Sequence, residues 1–319
     1  MRNLKKTKTI ETPSIYHETV LLQEAVEALA IQPDGLYVDV TFGGGGHAKQ
    51  ILNELGQDGK LFGFDQDEDA AANLIADERL TFIAQNFGHI KRFLRLHGIR
   101  KVHGILADLG VSWHQFNTPD RGFSIRFDET MLDMRMSQTS ELTAAKVLNT
   151  YNSKALFELL KYYGELPNAR RVAQTIVQAR SVSPIQTVQQ LKMVVQPFVR
   201  GNANKFYAQL FQAIRIEVNQ EIEVLKELLT QAKDLLVPSG RLVIITYHSI
   251  EDRVVKNFLK KGSFDGTEDK DLYGRSYKPF KPINKKVITP TREEVKRNPK
   301  SRSAKMRIAE RLEEKQNIT

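Results

Sequence analysis

Four consecutive glycines stand between a predicted strand and a predicted helix near the start of the chain. Residues 36–40 (LYVDV) are predicted to form a buried strand, residues 43–46 are all glycine, and a helix is predicted over residues 49–55. Glycines let the backbone approach a ligand closely, and the N-terminus of a helix offers unpaired N–H groups to an anion. A tight turn alone would rarely need four glycines, so the loop predicts a ligand site at the carboxyl end of this strand.

The alternation of strands and helices around this loop indicates the fold class. Further strands are predicted over residues 60–65, 80–87 and 102–110, with helical segments between them. Such alternation is typical of a parallel sheet with crossover helices. We therefore predict an α/β fold.

A long interruption of this pattern predicts an inserted helical domain. The next strand is predicted over residues 240–249, about 130 residues after the fourth, which is far more than one crossover requires. Amphipathic helical patterns fill the gap, and the last of them predicts one long helix over residues 205–236 that returns the chain to the sheet. We expect residues 115–205 to form a helical insertion, and residues 1–114 with 206–319 to form the sheet domain.

Composition limits the function classes that remain. The chain has 47 Lys+Arg against 38 Asp+Glu, a net charge of +9, of which residues 281–319 contribute +7. Nucleic acid is a leading partner class for a basic chain without a membrane-spanning apolar run, although solubility alone explains the charge equally well. The absence of Cys excludes disulfides, thiolate metal sites and a cysteine nucleophile. The seven histidines are scattered, so no metal site is predicted.

Two cofactors are compatible with the first two strands. Gly43, Gly45 and Ala48 match the loose dinucleotide fingerprint, and Asp65 lies where an acid binds a ribose. A nicotinamide dinucleotide and S-adenosylmethionine both fit this arrangement. Asp108, at the carboxyl edge of the fourth strand, favours S-adenosylmethionine, because an acid there suits the ammonium group of a bound amino acid.

Eight short motifs follow one another along nearly the whole chain. They are HETVLL at 17–22, TFGGGGH at 41–47, DLGVS at 108–112, RGFS at 121–124, LDMRM at 132–136, FQAIR at 211–215, HSIEDR at 248–253 and NPKSRSAK at 298–305. In this order they resemble the motifs of the MraW-type bacterial 16S ribosomal RNA methyltransferases. The resemblance implies a Rossmann-like S-adenosylmethionine-dependent methyltransferase sheet. It also implies transfer of a methyl group to the exocyclic N4 of a cytidine in the decoding region.

The resemblance further implies cofactor contacts, a partner and a location. The implied partner is 16S rRNA or the small ribosomal subunit, and no membrane partner is expected. The implied location is cytoplasmic. The chain departs from the family pattern at residues 113–114 and 128–131. By position, the family's cofactor contacts fall on Gly45, Gly46, His47, Asp65, Phe87, Asp108 and Gln115.

Candidate substrate residues are predicted near the same sheet edge. Tyr247 and His248 end the fifth predicted strand, where a Tyr can stack a flipped base and a His can accept a proton. Both residues are equally well explained as packing residues. In the LDMRM motif, Asp133 and Arg135 favour a substrate-facing segment over a core stripe.

The basic C-terminal segment is a candidate phosphate-binding surface. A strand is predicted to pair there at the sheet edge, with Lys305 and Arg307 on one face and Met306 and Ile308 on the other. Together with Arg302, the basic face would contact RNA phosphates. The alternative is that Arg307 pairs with a carboxylate of the protein and only stabilises the strand.

The chemistry of methyl transfer leaves some roles open. Most of what a protein adds to an in-line displacement is alignment of the two reactants. Asp108 can bind the amino group of the cofactor, accept a hydrogen bond from the target amine, or do both, and we favour the cofactor role. No residue is assigned as the proton acceptor. The competing hypotheses are an N-methyltransferase acting on DNA or on a small molecule, and a non-catalytic RNA-binding protein with a methyltransferase fold.

Overall fold

The computed structural model describes residues 18–268 and 278–313, apart from the side chain of Trp113, and contains a seven-stranded sheet. The strand order is β3-β2-β1-β4-β5-β7-β6, and all neighbouring strands are parallel except the pairs that involve β7. This arrangement confirms the predicted Rossmann-like α/β fold. The strands are β1 (Leu36–Asp39), β2 (Lys60–Phe64), β3 (Leu80–Ile83), β4 (Val102–Asp108), β5 (Leu236–Thr246), β6 (Phe280–Pro282) and β7 (Lys305–Arg311).

Apolar side chains cover both faces of this sheet. One face packs against a cluster that includes Leu228 and Phe258, and the other against a cluster that includes Leu29 and Ile51. Burial on both faces explains why the central strands are continuously apolar. The helices of the sheet domain are α1 (Leu22–Leu29), α2 (Gly46–Glu54), α3 (Ile90–Leu96), α10 (Glu221–Leu235), α11 (Ser249–Lys261) and α12 (Arg292–Arg297).

The remaining helices build a second hydrophobic core. We call residues 123–218 the helical lobe, because their buried apolar side chains form one cluster from Phe123 to Val218. No helix in the described ranges is long and apolar enough to cross a bilayer. Helix α4 leads into the lobe, and the next five helices form it. The six are α4 (Trp113–Asn117), α5 (Ala144–Thr150), α6 (Ser153–Tyr162), α7 (Ala169–Val182), α8 (Val188–Val195) and α9 (Ala203–Asn219).

The single long helix predicted over residues 205–236 is wrong. The helix is interrupted at Gln220, whose φ of 51° lies in the left-handed region. Helix α9 ends before this residue and α10 begins after it. Leu210 of α9 packs in the helical lobe, whereas Leu228 of α10 packs against the sheet. The apolar stripe continues through the break because both helices are amphipathic, and no glycine or proline marks the change of direction.

Two further strand predictions need correction. β5 ends at Thr246, so Tyr247 and His248 lie in the turn after the strand. β7 does not form the sheet edge, because it pairs with β5 on one side and with the short β6 on the other.

The left-handed Gln220 gives a test of this break. A non-glycine residue in this conformation costs about 1–2 kcal/mol, so Gln220→Gly should maintain or raise the thermal midpoint. Ala208→Gly, at an exposed position inside α9, should lower stability by about 1 kcal/mol, or about 2–4 °C. Thermal melting of both variants measures the contrast. Equal losses would place Gln220 inside a continuous helix.

Candidate cofactor and substrate site

Three carboxylates lie at the carboxyl ends of adjacent parallel strands. Asp39 ends β1, Asp108 ends β4, and Asp65 follows β2 directly. Thr41 joins two of these strand ends: its Oγ1 accepts from Asp108 N at 2.7 Å, and its N donates to Asp39 Oδ1 at 3.1 Å. Because ligands of open α/β sheets bind at this edge, the three acids mark the candidate site.

The glycine loop folds over the acid that follows β2. Gly43 N donates to Asp65 Oδ2 at 2.8 Å, with Gly43 at φ 50° and Gly45 at φ 74°, a region that favours glycine. No atom of a described residue lies within 4 Å of the point where a side chain on Gly44 would begin. The loop therefore fixes Asp65 and leaves open space beside Gly44.

Gly46 and His47 connect the loop to the segment before α1. A Cβ on Gly46 would collide with the hydroxyl of Thr19, so close packing explains the glycine there. His47 is buried, with Nε2 3.2 Å from Val20 O and Nδ1 3.9 Å from Asp108 Oδ2. His47 thus stands between the N-terminal segment and the central carboxylate.

The acid cluster holds its protons more tightly than ordinary carboxylates do. Burial, with a contribution from the neighbouring Asp65 charge, raises the pKa of Asp39 to about 7. Burial also raises the pKa of Asp108 to about 7, against the opposing hydrogen bond from Tyr247 and with help from Asp39. The pKa of Asp65 is raised as well, mainly by burial. A cationic ligand at this edge would relieve the repulsion among the three acids.

The donor set fits S-adenosylmethionine, which offers an ammonium group, a sulfonium, a carboxylate and two ribose hydroxyls. Asp108 suits the ammonium group, Asp65 the ribose, and the open side of the glycine loop the carboxylate. Asp39 Oδ2 is buried without a hydrogen-bond partner among the described residues, so it is a further acceptor available at the site. The sequence predictions missed Asp39, although an acid inside the apolar run LYVDV was a signal for it.

Phe87 lies just beyond β3, in a short turn whose geometry Asn86 fixes. Asn86 Oδ1 accepts from Gly88 N at 2.7 Å, and its Nδ2 donates to Gln66 Oε1 at 2.7 Å. Phe87 is half-buried against the sheet cluster. This position serves the core and leaves part of the ring exposed, so its contact with an adenine remains a prediction.

Asp67 ties the acid turn after β2 to the segment that leads into the helical lobe. Its carboxylate accepts from Gln115 Nε2 at 2.5 Å and pairs with Arg121 at 3.0 Å. The Gln115 side chain also caps α4, because its Oε1 accepts from Ser112 N at 3.1 Å. The amide of Gln115 is therefore used within the protein, and its predicted cofactor contact remains a prediction.

The Arg121 guanidinium continues this connection to the LDMRM segment. It donates to Arg135 O at 3.1 Å and to Met136 O at 2.9 Å, while Met136 Sδ accepts from Gln66 Nε2 at 3.2 Å. Asp133 and Arg135 pair with each other at 2.7 Å. The segment therefore passes beside Gln66, which follows Asp65 in the chain, but Asp133 and Arg135 bind each other in this conformation.

Tyr247 and His248 follow β5 and meet the acid cluster in different ways. The Tyr247 hydroxyl donates to Asp108 Oδ1 at 2.7 Å, and burial raises the pKa of Tyr247 well above its ordinary value. His248 caps α11: its Nδ1 accepts from Glu251 N at 3.4 Å. Its Nε2 lies 3.1 Å from a Glu251 carboxylate oxygen without hydrogen-bond geometry. The structure thus brings Tyr247 to Asp108 and engages His248 with Glu251.

A buried ion-pair network surrounds Glu251. Ligand atoms of Glu221, His248 and Glu251 lie within 4.8 Å of one another, the spacing of a metal site. Arg215 supplies a cation to this group, because its guanidinium donates twice to Glu221, at 2.8 and 2.9 Å. Burial raises the pKa of Glu251. The neighbouring His248, and then the cation of Arg215, outweigh burial, so the pKa of Glu251 is lowered.

The predicted basic face of β7 is partly neutralised. Lys305 and Arg307 share one face of the strand, as expected, and both reach Asp252, at 3.5 and 2.7 Å. Arg302 is exposed. The ion pair to Asp252 favours the structural alternative for Arg307, and phosphate binding by these three residues remains a prediction.

The raised pKa of Asp108 predicts pH-dependent cofactor binding. The ammonium group prefers the ionised carboxylate, so below about pH 7 binding must release a proton and the affinity should fall by up to about tenfold per pH unit. Above about pH 8 the affinity should level off. Calorimetric titration in two buffers of different ionisation enthalpy measures both affinity and proton release. Asp108→Asn should remove most of the dependence and leave the smaller part that Asp39 contributes, whereas Asp39→Asn should shift it to lower pH. A flat profile in the wild type would contradict the assignment.

The Asp67–Arg121 pair predicts a large cost when one partner is removed. Because both side chains are buried, Arg121→Met should lower the free energy of unfolding by about 3–5 kcal/mol and weaken cofactor binding. The double variant Asp67→Asn/Arg121→Met should recover part of the loss. The more exposed pair Asp77–Arg79 is the matched control, and Arg79→Met should cost much less. Denaturant unfolding compares the variants, and equal losses would contradict this role.

Comparisons with known proteins agree with the geometry. The MraW methylase family matches residues 14–312. A ribosomal RNA small subunit methyltransferase H from Flavobacterium johnsoniae is 56% identical over 298 residues, covering 93% of this chain and 98% of that protein. The protein of the same name from Parabacteroides distasonis is 52% identical over 304 residues, covering 95% and 99%.

Among solved structures the likeness is distant. A putative rRNA-methylase from Clostridium thermocellum shares 12% identity with a TM-score of 0.43, covering 93% of this chain and 100% of that one. The sequence match, by contrast, spans the glycine loop, the three strand-end acids and the helical lobe. The chain belongs to the MraW methylase family and is an S-adenosylmethionine-dependent methyltransferase.

Proposed function

We propose that this enzyme methylates the exocyclic N4 of a cytidine in the decoding region of 16S rRNA, either in free RNA or in the small ribosomal subunit. The observation that carries the proposal is the nearly full-length similarity to relatives named ribosomal RNA small subunit methyltransferase H. A cytoplasmic location follows from that substrate. The net charge of +9 suits a nucleic-acid partner.

The residues at the sheet edge have defined tasks in this reaction. S-adenosylmethionine, when bound, supplies a methyl group on a positively charged sulfur. Asp65 and Asp108 hold its ribose and its ammonium group, and thereby align the methyl group. Tyr247 keeps the Asp108 carboxylate oriented through its 2.7 Å hydrogen bond, and Gly110 allows the Tyr247 ring to lie close. Methylation of pyrimidine C5 through a cysteine adduct at C6 is excluded, because the sequence contains no Cys.

We further propose a division of labour between two domains. The predicted division has residues 1–114 and 206–319 as the methyltransferase domain and 115–205 as the RNA-recognition domain. The separate apolar core of the helical lobe supports such a division. Because α9 packs in that core, we propose a second boundary at Gln220 in place of residue 205.

On the substrate side, we propose that Arg302 contacts phosphate and that Tyr247, His248, Asp133 and Arg135 line the path of the target nucleotide. Arg302 is exposed beside β7, whereas Lys305 and Arg307 are drawn towards Asp252. Phosphate binding by Lys305 and Arg307 would therefore compete with an existing ion pair.

Transfer of labelled methyl groups tests the proposed activity. Small subunits from cells lacking the enzyme, incubated with labelled S-adenosylmethionine, should carry label on one cytidine of the decoding region, at N4. Asp108→Asn should lower the rate by about tenfold to a hundredfold through lost charge-assisted hydrogen bonds. Asp234→Asn, on an exposed acid of α10, is the matched control and should leave the rate unchanged. Label on DNA instead of RNA, or cofactor binding without transfer, would favour the competing hypotheses.

A further inference from the structure

An open cavity of about 590 Å³ lies in the helical lobe, between the end of α6 and the start of α7. Its volume is in the range of small-ligand sites. Nothing in the proposed chemistry at the sheet edge uses this cavity. Its lining includes Phe157, Lys161, Asn168, Arg170 and Arg171.

The charge of the cavity is one-sided. Lys161, Arg170 and Arg171 are exposed, and none of them forms a salt bridge with a carboxylate of the described residues. Elsewhere on the lobe, Lys154 and Lys192 do pair, with Glu158 at 3.9 Å and Asp128 at 2.6 Å. Three cations therefore line one cavity, which suits an anionic ligand.

Aromatic rings hold two of these cations in place. Lys161 Nζ lies 5.5 Å and Arg170 Cζ 5.2 Å from the centre of the Phe157 ring. Lys161 Nζ also lies 5.2 Å from the centre of the Tyr162 ring, and Tyr162 is 60% exposed. Cation–π contacts of this kind position the charges beside an exposed ring that can stack a base.

The polar side chain of Asn168 lies in the wall of the cavity. Asn168 Oδ1 is buried and has no hydrogen-bond partner among the described residues, while Asn168 Nδ2 donates to Phe198 O at 3.4 Å. Because Oδ1 is covered from solvent, a ligand in the open cavity meets the three cations and, beside them, the exposed Tyr162 ring instead of this acceptor. A ligand that combines anionic charge with a ring able to stack on Tyr162 has the chemistry of a nucleotide.

The cavity lies one short segment away from the residues that follow β5. Glu165, between α6 and α7, pairs with Arg253 at 2.9 Å and accepts from Ser249 Oγ at 2.9 Å. Ser249 and Arg253 belong to the first turns of α11, directly after Tyr247. A strand of RNA that enters the sheet edge at Tyr247 can therefore continue towards the cavity.

We propose that this cavity binds one unpaired nucleotide of the substrate RNA, close to the nucleotide that is methylated. This inference rests on the proposed function. The three cations hold the phosphates, and the exposed Tyr162 ring beside them stacks a base. A duplex presents its phosphates but keeps its bases paired inside, so the cavity selects single-stranded RNA.

Two matched triple variants test the cavity. Lys161→Gln/Arg170→Gln/Arg171→Gln removes its three charges. Arg92→Gln/Arg95→Gln/Arg100→Gln removes three exposed charges on α3 and before β4, outside the helical lobe. Affinity for a single-stranded RNA of ten nucleotides and for a ten-base-pair RNA duplex is measured across a salt series. Methylation of small subunits is measured in parallel, with cofactor affinity as the control for folding.

The cavity variant should bind the single strand at least about tenfold more weakly, with a salt slope smaller by about 2 for three lost phosphate contacts, and should raise KM for small subunits. The α3 variant and cofactor affinity should change less than about twofold. Equal effects of the two variants, or equal losses for single strand and duplex, would overturn the cavity site. If wild-type enzyme fails to methylate small subunits but the cavity variant alone loses single-strand binding, the proposed function fails and the cavity site stands.

Discussion

Confinement of three carboxylates at the ends of β1, β2 and β4 is the constraint on which the rest of the site depends. Burial raises the pKa values of Asp39 and Asp108 to about 7, so near neutral pH both acids are poised between their charged and neutral forms. A raised carboxyl pKa means that the folded state holds the proton more tightly. These two acids therefore stabilise the fold at low pH, and that contribution is lost as the pH rises from the usual carboxyl range through 7. A cationic cofactor opposes this loss, which links ligand binding to stability.

The turn after β2, which contains Asp65 and Asp67, connects the carboxylate cluster to two other parts of the molecule. Asp65 accepts from the glycine loop, and Asp67, two residues later, holds Gln115 and Arg121. Since Arg121 also donates to backbone oxygens of the LDMRM segment, one short turn positions both the glycine loop and the segment that leads into the helical lobe. Movement of that segment would be transmitted to Asp65 through Arg121 and Asp67, because Asp67 N donates to Asp65 Oδ1 at 2.9 Å.

The sequence predicted the strands of the sheet and the acids at their ends better than it predicted where helices end and how distant segments pair. Strand and loop patterns located Asp65 and Asp108 because parallel strands bring their carboxyl ends to one edge, whatever the connections between them. The same patterns missed the break at Gln220, because an amphipathic stripe continues through a change of direction. They also could not place β7 inside the sheet or pair Arg307 with Asp252, since both facts depend on residues distant in sequence. Asp39 was overlooked because a single acid within an apolar strand does not indicate a site until Asp65 and Asp108 are known to lie beside it.

The break at Gln220 gives the network around Glu251 a structural meaning. Arg215 belongs to α9 of the helical lobe, Glu221 opens α10, and Glu251 belongs to α11, so their charges meet where lobe and sheet join. Glu251 also accepts from Tyr247 N at 2.9 Å, and Tyr247 donates to Asp108. Two hydrogen bonds through Tyr247 thus connect Glu251, at the contact between lobe and sheet, to Asp108, which suits the cofactor ammonium group. His248, which caps α11 against Glu251, helps to set this joint, and that position explains a histidine beside the site without assigning it the proton of the target amine.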